Sequence, residues 1–258
     1  MQQEIKNHIL GSKNYSGLCE STIDKLIDRE TPKFKKKKDI EQSVRAKLHA
    51  WVNMFYINPD KLLKNVEITN NNEFWKELLN LHVSTKERVE FLEEFYSDID
   101  KFIGNSHSIL DLGCGFNPIA YFLYSKYSNI DYTAIDVEKN GIELLKNYFE
   151  KTNRKAKAEV IDILDFKSEK EYDMVFLFKI LPLLEQQTKG FSKKLLKVLK
   201  TKYLCISFPT RSLSGKNVGM YTKYKKDIEE LLKESDYSLV FEKEYKNEVL
   251  FVLQKIRY

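Results

Sequence analysis

The stretch from Ser108 to Pro118 constrains the fold of this chain most strongly. It reads S-I-L-D-L-G-C-G-F-N-P, in which an apolar run ends in a turn built on Gly113 and Gly115 and Asn117-Pro118 opens a helical pattern. Proline is tolerated at a first helical position because its missing N–H would have no intrahelical partner there. The stretch therefore predicts a strand, a tight glycine turn and a helix start. In α/β folds this geometry brings a ligand close to bare backbone at the carboxyl end of a strand.

Downstream of Gly104, short apolar runs alternate with helical patterns, which predicts parallel strands joined by crossover helices. The runs cover residues 108–111, 132–136, 158–161, 173–178 and 203–208, and the helical patterns between and after them cover 119–127, 138–151, 181–199 and 221–233. The tail differs, because 237–245 and 248–255 predict adjacent strands joined at Lys246-Asn247. A hairpin closing an otherwise parallel sheet is typical of the Rossmann-like, seven-stranded class I methyltransferase sheet, whose last strand is antiparallel.

The section before Phe102 shows helix patterns and no convincing strand. Apolar residues recur at helical spacing over 19–29, 39–56, 74–81 and 84–102. We therefore expect a helical N-terminal domain over residues 1–80 and a methyltransferase domain over residues 81–258. Hydrophobic residues make up 42% of the chain, enough for a full core.

Several classes of protein are disfavoured by what the sequence lacks. No apolar run approaches the length of a membrane span, and the first ten residues show no signal-peptide core. The three cysteines, Cys19, Cys114 and Cys205, form neither a CxxC pair nor a zinc spacing. We expect a reduced, cytoplasmic monomer that uses neither a membrane nor a metal.

The glycine turn distinguishes between two nucleotide-like cofactors. A dinucleotide needs G-x-G-x-x-G, and Pro118 occupies the third glycine position. S-adenosyl-L-methionine needs an acid followed by glycines, and Asp111 with Gly113 and Gly115 supplies D-x-G-x-G. The turn therefore favours S-adenosyl-L-methionine.

Two further acids follow the next two predicted strands. Asp136 ends the second strand and can accept from both ribose hydroxyls. Asp162 follows the third strand and can accept from the adenine amine, with Ile163 against the ring. Each acid alone could equally be a helix cap or a loop residue. Three acids at three successive strand ends, beginning at a D-x-G-x-G turn, favour the cofactor site.

The methyl acceptor is less constrained. The region after the fourth strand reads F-L-F-K-I-L-P-L-L-E-Q-Q and lacks the Asn/Asp-Pro-Pro-aromatic motif that grips an exocyclic amine. A Pro-Cys nucleophile is also absent. Guanine N7 fits these absences because its lone pair carries no proton, so that catalysis would rest on positioning without a catalytic acid or base. The same argument admits small-molecule acceptors.

Five sequence blocks narrow these alternatives. They read H-V-S-T-K-E-R-V (82–89), S-I-L-D-L-G-C-G-F-N-P-I-A (108–120), Y-D-M-V-F-L-F-K-I-L-P-L-L-E-Q-Q (172–187), I-S-F-P-T-R-S-L-S-G-K (206–216) and N-E (247–248). With them the chain resembles the 16S rRNA (guanine(1405)-N(7))-methyltransferases that confer aminoglycoside resistance. Most positions before His82 differ from the family.

The resemblance implies a set of cofactor contacts. Arg88 would hold the methionine carboxylate, as suits a guanidinium, although a surface ion pair with Glu87 or Glu90 is the alternative. The complete set of cofactor-binding residues that we expect is His82, Val83, Ser84, Arg88, Asp111, Gly113, Asp136, Asp162, Ile163, Leu177 and Gln186. Leu177 and Gln186, which would close over the adenosine, rest on the resemblance alone.

The resemblance also implies a substrate, folded 16S rRNA within the 30S subunit. The chain carries a formal net charge of +5, and phosphate contacts that position an enzyme are a use for clustered lysines. The candidates for RNA binding are Lys35, Lys36, Lys37, Lys38, Arg211 and Lys216. The loop from Arg211 to Lys216 follows the fifth strand and would frame a flipped base. The expected reaction is methyl transfer to guanine N7; methylation of another rRNA nucleobase or of a small molecule, and a binding module without chemistry, are the alternatives.

Overall fold

The computed structural model describes residues 1–53, 55, 72–104, 106–168, 170–210 and 220–256. The described part of the chain before the sheet is helical, as its apolar spacing predicts. Its α-helices are α1 (Gln2–Leu10), α2 (Glu20–Glu30), α3 (Lys37–Leu48), α4 (Asn72–Leu79), α5 (Val83–Arg88) and α6 (Leu92–Ile103).

The described residues after α6 include one seven-stranded sheet of order β3-β2-β1-β4-β5-β7-β6. The strands are β1 (Ser108–Leu112), β2 (Asp131–Asp136), β3 (Ala156–Val160), β4 (Tyr172–Phe178), β5 (Thr201–Pro209), β6 (Tyr237–Glu244) and β7 (Glu248–Lys255). β1 to β5 pair in parallel, whereas β7 pairs antiparallel with both β5 and β6. The predicted class I methyltransferase sheet with its closing hairpin is confirmed.

Crossover helices connect the parallel strands and cover both faces of the sheet. They are α7 (Asn117–Tyr124), α8 (Lys139–Lys151), α9 (Leu181–Gln187), α10 (Phe191–Val198) and α11 (Met220–Lys233). Side chains alternate between faces along a strand. On β4, Phe176 and Phe178 enter one hydrophobic cluster, while Val175 and Leu177 enter the other.

The first three helices have a hydrophobic cluster of their own. It includes Ile5, Ile23 and Val44, and the partly buried Val137 and Leu183 pack against it from the sheet side. Backbone hydrogen bonds add to this contact, since the Cys19 N–H donates to the Val137 carbonyl at 2.8 Å. The helical front is thereby attached at the end of β2. The division at residue 80 stays a prediction.

Three predicted helices have different limits in the structure. The segment 84–102 is interrupted by a 3₁₀ turn at Val89–Phe91 between α5 and α6. The segment 181–199 is split where Gly190 adopts a φ of +78° at the start of α10. α3 ends at Leu48 and continues as a π-helical turn over His49–Asn53, and α1 was not singled out by the sequence pattern.

None of the described helices is both long and apolar enough to cross a membrane. Among the described residues, no group of three or more His, Cys, Asp or Glu side chains is arranged to hold a metal ion.

Candidate functional site

A cavity opens at the carboxyl edge of the parallel strands, between the sheet and the helical front. It encloses about 790 Å³ of space, open mouth included. Its described wall is formed by Thr22, Trp51, Val52, Phe55, His82, Ser84, Gly113, Asp136, Val137, Asp162, Ile163, Phe178, Lys179, Ile180, Leu183, Leu184 and Gln187. The sequence did not predict a role for Thr22, Trp51 and Phe55, because no local pattern indicates that the helical front forms part of this wall.

The glycine turn forms the floor of the cavity. Gly113 and Gly115 have φ values of +70° and +48°, which side-chain-bearing residues rarely adopt. A Cβ on Gly113 would lie 2.9 Å from Ile180, and one on Gly115 would lie 2.6 Å from the His82 ring. Both glycines are therefore required by conformation and by close packing. The turn leads directly into α7, where Pro118 occupies the first turn as predicted.

Asp111 lies behind this turn and does not belong to the cavity wall. Its carboxylate is 1% exposed and accepts from the Tyr132 hydroxyl at 2.6 Å and the Asn117 amide at 2.8 Å. Burial raises the pKa of Asp111 to about 6. The carboxylate of Asp111 thus ties α7 to the sheet behind the turn, and its expected cofactor contact stays a prediction.

Asp136 does reach the wall, as expected. Its carboxylate accepts from the backbone N–H groups of Gly115 at 2.9 Å, Val137 at 2.7 Å and Glu138 at 3.1 Å. Burial raises the pKa of Asp136, whereas these three hydrogen bonds oppose the rise. A carboxylate offers about four lone-pair directions, so Asp136 holds the turn and keeps acceptor capacity toward the cavity.

Asp162 lies in the same wall one strand further. Its Oδ1 accepts from the Leu164 N–H at 2.9 Å, and its Oδ2 accepts from the Thr22 hydroxyl at 2.8 Å and lies 3.0 Å from Lys25 Nζ. Ile163 is buried beside it. The structure therefore brings Asp162 and Ile163 together as expected, and it adds α2 as the element that orients Asp162.

The start of α5 forms the opposite side of the cavity. His82 lies with its ring 5.5 Å from that of Phe116 and 6.1 Å from that of Phe55. Burial, together with the nearby charges of Lys179 and Arg88, lowers the pKa of His82 to about 3, so its ring is neutral near pH 7. Ser84 is in the wall, as expected.

Val83 is not among the residues that form the wall, and its expected cofactor contact stays a prediction. Its N–H donates to the Phe55 carbonyl at 2.7 Å and so joins α5 to the helical front.

Arg88 is likewise absent from the wall. Its guanidinium is 1% exposed and pairs with the Glu248 carboxylate through Nε at 3.0 Å and Nη2 at 2.5 Å, while Nη1 donates to Asn117 Oδ1 at 3.0 Å. The guanidinium is held in a buried ion pair with Glu248 at the start of β7, and the expected contact of Arg88 with a cofactor carboxylate stays a prediction. The surface ion pair is excluded, since Glu87 and Glu90 pair with Lys179 and Lys246.

Lys179 is the one wall residue among those described that carries a formal positive charge at neutral pH. Its Nζ lies 2.9 Å from Glu87 Oε2 and 3.2 Å from Glu248 Oε2. Its backbone adopts a φ of +58°, which is uncommon for a side-chain-bearing residue. Sequence reasoning missed Lys179, although it directly follows the fourth strand in F-L-F-K.

The two wall residues assigned by resemblance alone are each displaced by one position. Leu177 points into the core on the other face of β4, and Phe178 lines the cavity instead. Gln186 is exposed on α9, and Gln187 lines the cavity. These one-position differences follow from geometry, because adjacent residues face opposite sides of a strand and lie about 100° apart on a helix. The expected contacts of Leu177 and Gln186 with the cofactor stay predictions.

The candidate RNA-binding lysines lie away from the cavity. Lys35, Lys36, Lys37 and Lys38 are exposed at the start of α3, where Lys37 is 3.2 Å from Glu4. Arg211 and Lys216 lie outside the described residues.

Comparison with known proteins gives a consistent result. A family model described as "Ribosomal RNA methyltransferase (FmrO)" matches residues 11–252. A 16S rRNA (guanine(1405)-N(7))-methyltransferase of Proteus mirabilis is 30% identical over 98% of this chain and 97% of its own length. One from Serratia marcescens is 28% identical over 96% of each chain. The crystal structure of the 16S rRNA methyltransferase RmtF in complex with S-adenosyl-L-homocysteine superposes with a TM-score of 0.87 at 26% identity, over 98% of both chains.

Proposed function

The chain belongs to the FmrO family of ribosomal RNA methyltransferases, with the 16S rRNA (guanine(1405)-N(7))-methyltransferases, and from this membership we propose that it methylates N7 of guanine 1405 in 16S rRNA. The enzyme uses S-adenosyl-L-methionine, and in this proposal the methylation confers aminoglycoside resistance. When bound, this cofactor supplies a methyl group activated by a sulfonium.

The observation that carries the proposal is the order of groups along the cavity wall. Asp162, Asp136 and Gly113 follow three neighbouring strands, β3, β2 and β1. They offer an acceptor for an adenine amine, an acceptor for ribose hydroxyls and a side-chain-free surface for the methionine part. The glycine cradle, which a Cβ would fill, and the apolar wall at Ile163 and Leu184 fit the same molecule.

The protein's task is positioning. Guanine N7 attacks with a lone pair that carries no proton, so no base has to remove one. His82, whose pKa is lowered to about 3, contributes a neutral surface, and the carboxylates of Asp136 and Asp162 are engaged in hydrogen bonds. Holding donor and acceptor in line supplies the rate enhancement.

The physiological substrate in this proposal is the assembled 30S subunit, which places the enzyme in the cytoplasm, where it acts as a monomer. The exposed run Lys35 to Lys38 supports this proposal, since basic side chains outside the cavity suit contacts with rRNA phosphates. In the same proposal the helices before residue 80 dock on the rRNA, and Arg211 and Lys216 frame the target base.

Methyl mapping tests the function. The protein is incubated with methyl-labelled cofactor and with 30S subunits, free 16S rRNA or 50S subunits, and modified guanines are located by primer extension after borohydride reduction and aniline cleavage. We expect label in the 30S sample and a stop at guanine 1405. Label on an adenine or a cytosine, or no label on 30S subunits, would refute the function.

A further inference from the structure

The order of the strand ends gives the cavity wall a direction. Asp162 follows β3, Asp136 ends β2, Gly113 follows β1 and Lys179 follows β4, which are consecutive strands of the sheet. Neighbouring strands lie about 4.8 Å apart. This inference rests on the proposed function, in which adenosine occupies the end of the wall at β3 and β2. Lys179 lies one strand beyond the glycine turn. That is the side on which a methyl acceptor has to sit.

Lys179 is held firmly at this point. Its N–H donates to the Ser207 carbonyl at 2.9 Å, and its side chain is only 7% exposed. Its ammonium group contacts the carboxylates of Glu87 and Glu248, whereas the Ser84 carbonyl lies at 3.5 Å, the limit of a hydrogen bond. Two donors are thus committed, and the third can turn to a better acceptor. The left-handed backbone conformation of Lys179 also indicates a functional role, because uncommon backbone conformations cluster at functional sites.

The charges around Lys179 permit it to face a base that becomes cationic. Lys179 and Arg88 carry two positive charges, and Glu87 and Glu248 carry two negative charges. The formal sum of the cluster is zero. Methylation of N7 moves a positive charge onto the guanine ring, and the two carboxylates offset the repulsion that a lone ammonium would exert there.

The hydrogen-bonding pattern of the purines makes this donor selective. Guanine presents two acceptors side by side, N7 and O6, whereas adenine presents the N7 acceptor beside an amine donor. We propose that Lys179 is a specificity-determining residue that donates to guanine O6 and thereby directs the adjacent N7 at the methyl donor. An adenine in the same place would set its amine against the ammonium group.

Base analogues at the target position test this contact. The substrates are 30S subunits reconstituted with 16S rRNA that is ligated from a synthetic fragment carrying guanine, inosine or 2-aminopurine at position 1405. Inosine keeps O6 and N7, whereas 2-aminopurine lacks O6. Single-turnover methylation by the wild-type protein should be similar for guanine and inosine and about 10- to 100-fold slower for 2-aminopurine, as for loss of a charged hydrogen bond.

Variants link that loss to Lys179. Lys179→Met should methylate guanine about 10- to 100-fold more slowly and should no longer distinguish it from 2-aminopurine, while Lys179→Arg, which keeps donors and charge, should retain part of the distinction. Lys151→Met is the matched control, since Lys151 is exposed at the end of α8, away from the cavity. The affinity for S-adenosyl-L-homocysteine should be unchanged in Lys179→Met.

Three results would overturn the inference. Lys179→Met could keep the wild-type ratio between guanine and 2-aminopurine, or wild type itself could methylate both equally. A tenfold loss of S-adenosyl-L-homocysteine affinity would instead place Lys179 at the cofactor carboxylate. Failure of the wild-type protein to methylate guanine 1405 at all would be a failure of the proposed function, separate from these results.

Discussion

The two ends of the cavity wall are built in different ways. At the end where we propose that adenosine binds, called the adenosine end, Asp136 and Asp162 have mostly nearby backbone N–H groups as partners. Examples are those of Val137, Glu138 and Leu164. At the end where we propose that the methyl acceptor sits, called the acceptor end, the wall residue Lys179 and the residues behind it have charged side chains as partners. The residues behind Lys179 are Arg88, Glu248 and Glu87. The Arg88–Glu248 pair joins residues 160 positions apart. The adenosine end is thus set by local chain geometry, and the acceptor end by tertiary packing of charges.

Removal of the Glu248 carboxylate, which pairs with both Arg88 and Lys179, should lower the free energy of unfolding most. In Glu248→Gln the buried Arg88 loses its ionic partner, and such a loss destabilises a protein by about 3–5 kcal/mol. The matched change at the adenosine end, Asp162→Asn, should cost about 1 kcal/mol because its oxygen still accepts a hydrogen bond. Urea unfolding of both variants measures the two free energies. Equal losses would show that the two ends do not differ in the way described.

His82, which packs between the two ends, should make stability depend on pH. Its folded-state pKa is lowered from 6.5 to about 3 by burial and by Lys179 and Arg88. The unfolded chain therefore takes up a proton below pH 6.5 that the folded chain refuses until about pH 3. This contribution to stability is complete above pH 6.5 and is lost as the pH falls toward 3, which amounts to about 2 kcal/mol between pH 7 and pH 5.

A variant at His82 isolates the contribution of this side chain to the pH dependence of stability. His82→Gln should lose about 2 kcal/mol less than wild type in urea unfolding between pH 7 and pH 5. The exposed His107, which does not line the cavity, provides the control His107→Gln. Parallel pH dependence of wild type and His82→Gln would contradict the burial argument.

The difference between local contacts at the adenosine end and distant contacts at the acceptor end explains which parts of the site could be predicted from the sequence. The glycine turn, Asp136 and Asp162 are marked by turn chemistry and strand ends, which are local patterns, and the structure finds all three in the wall. The seven-stranded sheet follows from the same alternation of strands and helices. Asp111 also lies at a strand end before the glycine turn. Its place in the strand does not indicate whether its side chain faces the cavity or the protein interior.

The ion pairs of the acceptor end cannot be predicted from a local sequence pattern. Nothing near Arg88 in the sequence indicates that Glu248 will pair with it, and the expected contact of Arg88 with a cofactor carboxylate rests on the resemblance. The same holds for Thr22 on Asp162, which comes from a helix 140 positions earlier. Leu177 and Gln186 each lie one position from a wall residue. A resemblance indicates a segment of the chain, whereas the direction of each side chain depends on its place in the strand or helix.

We propose that the cavity wall divides into an adenosine end, which binds the cofactor, and an acceptor end. Calorimetric titration of S-adenosyl-L-homocysteine into Asp136→Asn and Lys179→Met tests it most directly, with Asp131→Asn at the far end of β2 as control. We predict that Asp136→Asn weakens binding by about tenfold or more, while Lys179→Met and the control bind as wild type does. An equal loss of affinity in Asp136→Asn and Lys179→Met would contradict the division.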